Sequence, residues 1–123
     1  MITGVVTHEL EAVLNILLQS AGGHSETVPA VIDTGFDGFI ALPPDLIARM
    51  QLPFAGSVCL CQADGNETWF RSFEVIVPWH GERLVVHAAE IGAGALVGMA
   101  LLHASRLTMD VLEDGPVRVE PMQ

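Results

Sequence analysis

Val31-Ile32-Asp33-Thr34-Gly35-Phe36 places a carboxylate where an apolar, β-branched run stops and a turn begins. An ionisable side chain beside such a run is expensive to desolvate, so its presence there points to use rather than packing. Alone, the Asp-Thr-Gly tripeptide says little, because Asp and Gly are ordinary turn formers. A second segment, about 65 residues downstream, gives it weight: Ala95-Leu96-Val97-Gly98-Met99-Ala100-Leu101-Leu102 is an apolar run that breaks at a glycine into a short helix.

Outward from Asp33 the chain reads as mostly β. Apolar or alternating runs bounded by turn residues predict strands over Ile2 to Thr7, Glu11 to Gln19, Val28 to Ile32, Gly38 to Leu42 and Ser57 to Gln62. Further strands are predicted over Trp69 to Pro78, Arg83 to Glu90, Leu107 to Leu112 and Val117 to Pro121. Ala63-Asp64-Gly65-Asn66, Trp79-His80-Gly81-Glu82 and Glu113-Asp114-Gly115-Pro116 read as turns between them. Helical signals are confined to Pro43-Pro44-Asp45 with Leu46, Ile47 and Met50, ending before Pro53, and to Met99 to Ser105.

The two segments together resemble those of the retropepsin-like aspartic peptidases, where an apolar pair precedes Asp-Thr/Ser-Gly and a later apolar pair precedes a glycine and a short apolar helix. Asp33-Thr34-Gly35-Phe36, followed by Gly38-Phe39 and Leu42-Pro43, looks like the prokaryotic branch of that group. The likeness runs from the Glu11 strand to Val111. It implies an all-β, closed acid-protease barrel with one or two short helices, residues 1–123 forming a single lobe of a two-fold dimer. Asp33 would be the catalytic carboxylate, Thr34 the hydroxyl that locks two active-site loops across the dimer axis, and Gly35 the backbone that holds the carboxylate in place. The hairpin from Val58 to Val77 looks like a flap over an extended peptide. Phe36, Ala63, Asp64, Gly65 and Leu96 would touch substrate.

Peptide hydrolysis by this route needs one carboxylate to take a proton from water while a protonated partner donates one. Two carboxyls about 3 Å apart cannot both ionise, so the pair shares a proton. Asp33 is the only aspartate here in such a setting; Asp45 starts a helix, and Asp64 and Asp114 sit in turns. The second acid is therefore expected from another copy, with a two-fold axis through the site. The implied activity is that of an endopeptidase, a hydrolase needing no metal and no other cofactor. Where retroviral relatives carry Arg and then Asp or Asn after the second glycine, this chain has Met99 and Ala100, which removes a polar network tying the helix to the dimer interface. A non-catalytic dimer that binds peptides or partner proteins is thus the alternative.

Composition is consistent with one globular domain of 123 residues, half of them apolar. Fifteen acidic residues against five basic ones give a formal charge of −10, which repels phosphate backbones and anionic lipid headgroups. Nucleic acid and membrane are not expected partners. The longest uncharged stretch, Ile91 to Ser105, is too short and too Gly-rich to span a bilayer, and a cytoplasmic protein is the expectation. Cys59 and Cys61, two apart, would share a strand face and bridge poorly, so both are expected reduced. The five histidines lack ligand spacing, the stretch after Asp33 has Pro44 where a calcium loop needs Glu, and Gly92 to Gly98 has no room for a βαβ unit.

Overall fold

A computed structural model of the chain describes residues 1–61 and 64–122. It holds ten strands: β1 (Ile2–Val6), β2 (Ala12–Gln19), β3 (Ser25–Ile32), β4 (Ile40–Leu42), β5 (Phe54–Cys61), β6 (Glu67–Trp79), β7 (Glu82–Glu90), β8 (Leu96–Val97), β9 (Ser105–Met109) and β10 (Pro116–Pro121). Two short helices, α1 (Pro44–Met50) and α2 (Met99–Leu102), complete it. The strands run in the order β5-β6-β7-β4-β8-β3-β2-β1-β10-β9, and a further contact of β6 with β2, Gln19 opposite Ile76, joins the sheet to itself. Strands β6, β7, β4, β8, β3 and β2 thereby close a six-stranded barrel.

Alternation builds the barrel interior. Ala12, Leu14, Ile16 and Leu18 of β2 are buried on one face, and Phe73, Val75, Val77 and Trp79 of β6 do the same across from them. Leu46, Ile47 and Met50 of α1 and Leu101 and Leu102 of α2 join the same core. At about 1.5–3 kcal/mol for each fully buried Leu, Ile, Val or Phe side chain, this cluster is the main favourable term in folding. Pro44 stands at the first turn of α1, where its missing N–H costs nothing, and Gln51 ends the helix at φ 53.

Strand β6 serves two layers. Its second half lines the barrel, whereas its first half pairs with β5 to form a hairpin. The change falls at Ser72 and Phe73, adjacent residues that are both buried because one lies under the hairpin and the other in the barrel. A small second core of Phe36, Ala41, Leu60 and Ala89 fills the space between hairpin and barrel wall.

Several sequence expectations shift. β3 starts at Ser25, so Pro29 lies inside it; β8 joins β3 only from Val31, and Pro29 sits where that side has no neighbour to receive an N–H. Leu96 and Val97 form a strand of their own, and α2 is one turn long because Ser105 already begins β9. β1 lies between β2 and β10, and the edges of the sheet are β5 and β9. The β6–β7 turn has His80 at φ 50 and Gly81 at φ 80, the positive pair that a two-residue type I′ hairpin requires. Gln62 and Ala63 of the first turn lie outside the described residues. Among the described residues no helix is long and apolar enough to cross a membrane.

Candidate active site

The two sequence segments meet because β3 and β8 run side by side in parallel, Val31 opposite Leu96 and Ile32 opposite Val97. The ladder continues one residue beyond β3: the Asp33 N–H donates to the Val97 carbonyl at 2.9 Å. Asp33 is thus held at the end of a paired strand, and its side chain is half-buried. Its Oδ1 accepts the Gly35 N–H at 2.9 Å, and its carbonyl accepts the Phe36 N–H at 3.1 Å, closing a tight turn with Thr34 and Gly35 exposed at the crown.

Past the turn, Phe36 folds inward, 8% exposed, against Leu60 of the hairpin and Ala41 and Ala89 of the barrel. The backbone that follows is clamped to α2. Met99 N–H donates to the Phe36 carbonyl at 2.8 Å, Ala100 N–H to Gly38 at 3.1 Å, and Gly98 N–H to Phe39 at 3.1 Å. So close an approach leaves no room at residue 98: a Cβ there would stand 2.1 Å from the Gly38 oxygen and 2.6 Å from the Phe36 ring. Gly98 is glycine because two backbones touch, and that contact fixes the Asp33 turn to the second segment.

A cavity of about 280 Å³ opens beside Asp33. Asp33, Gly35, Phe36 and Leu96 line it, together with Leu60, Cys61 and Phe70 from the hairpin and Ile91 from the end of β7. Four of the residues singled out from sequence are therefore brought together. Thr34 is next to them at the exposed crown without lining the cavity. Asp64 and Gly65 stand near the hairpin tip, away from the cavity wall: the Asp64 carboxylate accepts both the Asn66 N–H and its Nδ2 at 2.9 Å, and Gly65 takes φ 85. Ala63 lies outside the described residues.

Leu60, Cys61 and Ile91 were not foreseen as site residues. Leu60 had a signal, since Val58 and Leu60 alternate on the hairpin face that turns toward the barrel. Ile91 had none: it reaches the site through a hydrogen bond of its N–H to the Leu42 carbonyl at 3.0 Å, a non-local contact.

The walls are chiefly apolar, and among the described residues Asp33 is the one carboxylate that lines them. A second cavity, about 330 Å³, shares Phe36 and Leu60 as walls and continues past Phe39, Val58 and Val85. On β5, desolvation and then the neighbouring Glu67 carboxylate push the Cys59 thiol above its ordinary value, so it stays protonated; its Sγ lies 3.6 Å from Glu67 Oε2. No disulfide joins Cys59 and Cys61. A lone carboxylate in such a cavity can take or give a proton but cannot do both in one step. No protein-family model matches the chain, and neither a curated protein nor a solved structure matches it.

Proposed function

We propose that this chain is one half of an aspartic endopeptidase, completed when a second copy brings its own Asp33 to the same site. The observation that carries this reading is the placement of Asp33: half-buried at the end of a paired strand, fixed by the Gly35 N–H, in a cavity lined by no other carboxylate among the described residues. The exposed crown of Thr34 and Gly35 is the surface through which a second copy would meet it.

Two such carboxyls facing one another hold one proton between them. The ionised one takes a proton from water as the water oxygen attacks the peptide carbonyl; the protonated one gives its proton to the carbonyl oxygen. The tetrahedral gem-diol then collapses: the C–N bond breaks, the carboxyl that received the water proton passes it to the leaving nitrogen, and the other carboxylate takes a proton back from a hydroxyl of the intermediate, which restores the shared proton. The β5–β6 hairpin stands over the cavity through Leu60 and Phe70, in the position of a cover that excludes water. Apolar walls in both cavities favour an extended peptide with apolar side chains near the cut.

A second reading keeps the dimer and the peptide groove without cleavage. It is favoured by Met99, 49% exposed at the start of α2, where the resembling peptidases carry an arginine that ties this helix to the interface.

Two copies joined by a flexible Gly/Ser linker test the proposal. Docking becomes intramolecular at roughly millimolar effective concentration, so peptidase activity persists on dilution. Asp33→Asn in only one of the linked copies then removes more than about a hundredfold, roughly 2.7 kcal/mol of barrier, if the carboxyls form one dyad. Survival of half the activity, in a fused chain shown to be monomeric, refutes the shared site. Binding of the peptide without cleavage by the unmutated fusion selects the second reading.

A further inference from the structure

Two turns at one end of the sheet expose aliphatic side chains that the core does not use. Thr7-His8-Glu9-Leu10-Glu11 joins β1 to β2, and Asp110-Val111-Leu112-Glu113-Asp114-Gly115 joins β9 to β10. Leu10 is 60% exposed, Val111 63% and Leu112 60%. The turns meet at the end of β1: the Asp114 N–H donates to the Val6 carbonyl and the Val6 N–H to the Gly115 carbonyl, each at 2.9 Å, and His8 Nδ1 lies 3.4 Å from Glu113 Oε1. Because Val13 stands opposite Val31, the first turn is at the end of β3 that carries Asp33, yet neither turn lines the Asp33 cavity.

Leu10 breaks a local rule. Its N–H donates to the Thr7 carbonyl at 2.9 Å and the Thr7 N–H donates to the Glu11 carbonyl at 2.8 Å, a hairpin turn that ends in a left-handed residue, Leu10 at φ 62. Glycine or asparagine fills such a position with least strain, and the neighbouring turn has an aspartate at its own left-handed place, Asp114 at φ 62. A leucine at position 10 combines a strained backbone with an apolar side chain held in water, and neither helps the fold. Exceptions of this kind gather at functional positions.

Charge selects the partner. Glu9, Glu11, Asp110, Glu113 and Asp114 are all exposed in the same two turns, and His8 is the only basic residue in either. Carboxylates so placed repel anionic lipid headgroups, and a second copy docking through the same turns would set them against one another. They complement lysine and arginine side chains that flank an apolar stripe. A helix with apolar residues three and four apart and cations beside them presents that combination on one side.

We propose that these two turns form a docking surface for a basic amphipathic segment of a partner protein, its apolar stripe against Leu10, Val111 and Leu112 and its cations against the carboxylates.

A synthetic Leu/Lys peptide, with leucines three and four apart, is the probe; a Ser/Lys peptide of the same charge and a Leu/Glu peptide of the same apolar stripe are its controls. In ¹H–¹⁵N spectra at about 0.1 M salt, the probe moves the amides of Thr7 to Glu11 and Asp110 to Gly115 saturably, with a Kd of about 100 micromolar or lower and about tenfold below either control. Leu10→Asn suits the left-handed backbone better than leucine, so its urea midpoint holds or rises while affinity for the probe falls about tenfold. Leu112→Asn, at an exposed position, loses a similar factor with its midpoint unchanged. Amides of the two turns that stay still at about millimolar probe overturn the proposal, as does full affinity in Leu10→Asn. Equal binding by the Ser/Lys peptide leaves only net charge and refutes the apolar contact; equal binding by the Leu/Glu peptide refutes the part given to the carboxylates. Co-sedimentation of the protein with phosphatidylcholine/phosphatidylglycerol vesicles, or shifts at these turns that follow protein concentration alone, would assign the surface to a membrane or to a second copy and refute the peptide partner.

Discussion

Replacing Gly98 by alanine tests the contact that brings the two halves of the candidate site together. The added Cβ would stand 2.1 Å from the Gly38 carbonyl oxygen, 2.6 Å from a Phe36 ring carbon and 2.9 Å from the Phe36 carbonyl oxygen. Two of these neighbours are backbone atoms that already accept hydrogen bonds from Ala100 and Met99. Relieving the clash separates α2 from the Asp33 turn and weakens both bonds, about 1 kcal/mol each, on top of about 1–3 kcal/mol for overpacking. The sum, about 3–5 kcal/mol, is a large share of the roughly 5–15 kcal/mol that holds a domain folded. For a chain of this length it corresponds to a fall in Tm on the order of 12–20 °C. Gly92→Ala is the control: nothing lies within 4 Å of its Cβ and its φ is not left-handed, so it stabilises by about 0.4–1 kcal/mol through the unfolded chain. Urea unfolding of both variants, with equal m-values, measures the difference directly. Equal midpoints for the two would refute the close-approach account of Gly98.

Asp33→Asn in the ordinary chain keeps an oxygen to accept the Gly35 N–H, so the urea midpoint holds while the proposed peptidase activity disappears; a variant that cuts like the parent makes Asp33 structural. Asp37→Asn, at an exposed carboxylate outside the Asp33 cavity, leaves most activity in place in the same assay. The Arg49 guanidinium, bonded to Glu26 at 2.7 and 3.1 Å, holds that carboxyl below its ordinary 4.5. Because the folded value is the lower one, the pair stabilises above pH 4.5 and loses its effect as pH falls through the folded value. In urea midpoints against pH, the gap between the parent and Arg49→Gln is therefore constant above about pH 5 and narrows below 4.5; a gap unchanged down to about pH 3 contradicts the assignment.

Local physics made much of the barrel legible in the sequence. Alternation along Ala12 to Gln19 and Phe73 to Trp79 specifies strands with one buried face, and Trp79-His80-Gly81-Glu82 specifies a tight hairpin turn because its central residues tolerate positive φ. The chemistry of a carboxylate after an apolar strand marked Asp33, and the break at Gly98 marked its distant neighbour. What stayed hidden depends on which strand lies beside which. Nothing in Ile2 to Val6 says that β10 covers its second edge, and nothing in Leu96-Val97 says that two residues suffice for a strand once β3 and β4 flank them. The double burial at Ser72 and Phe73 reads as a broken pattern until the hairpin is seen lying on the barrel. The arrival of Ile91 beside Asp33 was decided only by the tertiary structure, because it joins segments far apart in the chain, and periodicity carries no information about partners beyond its own strand.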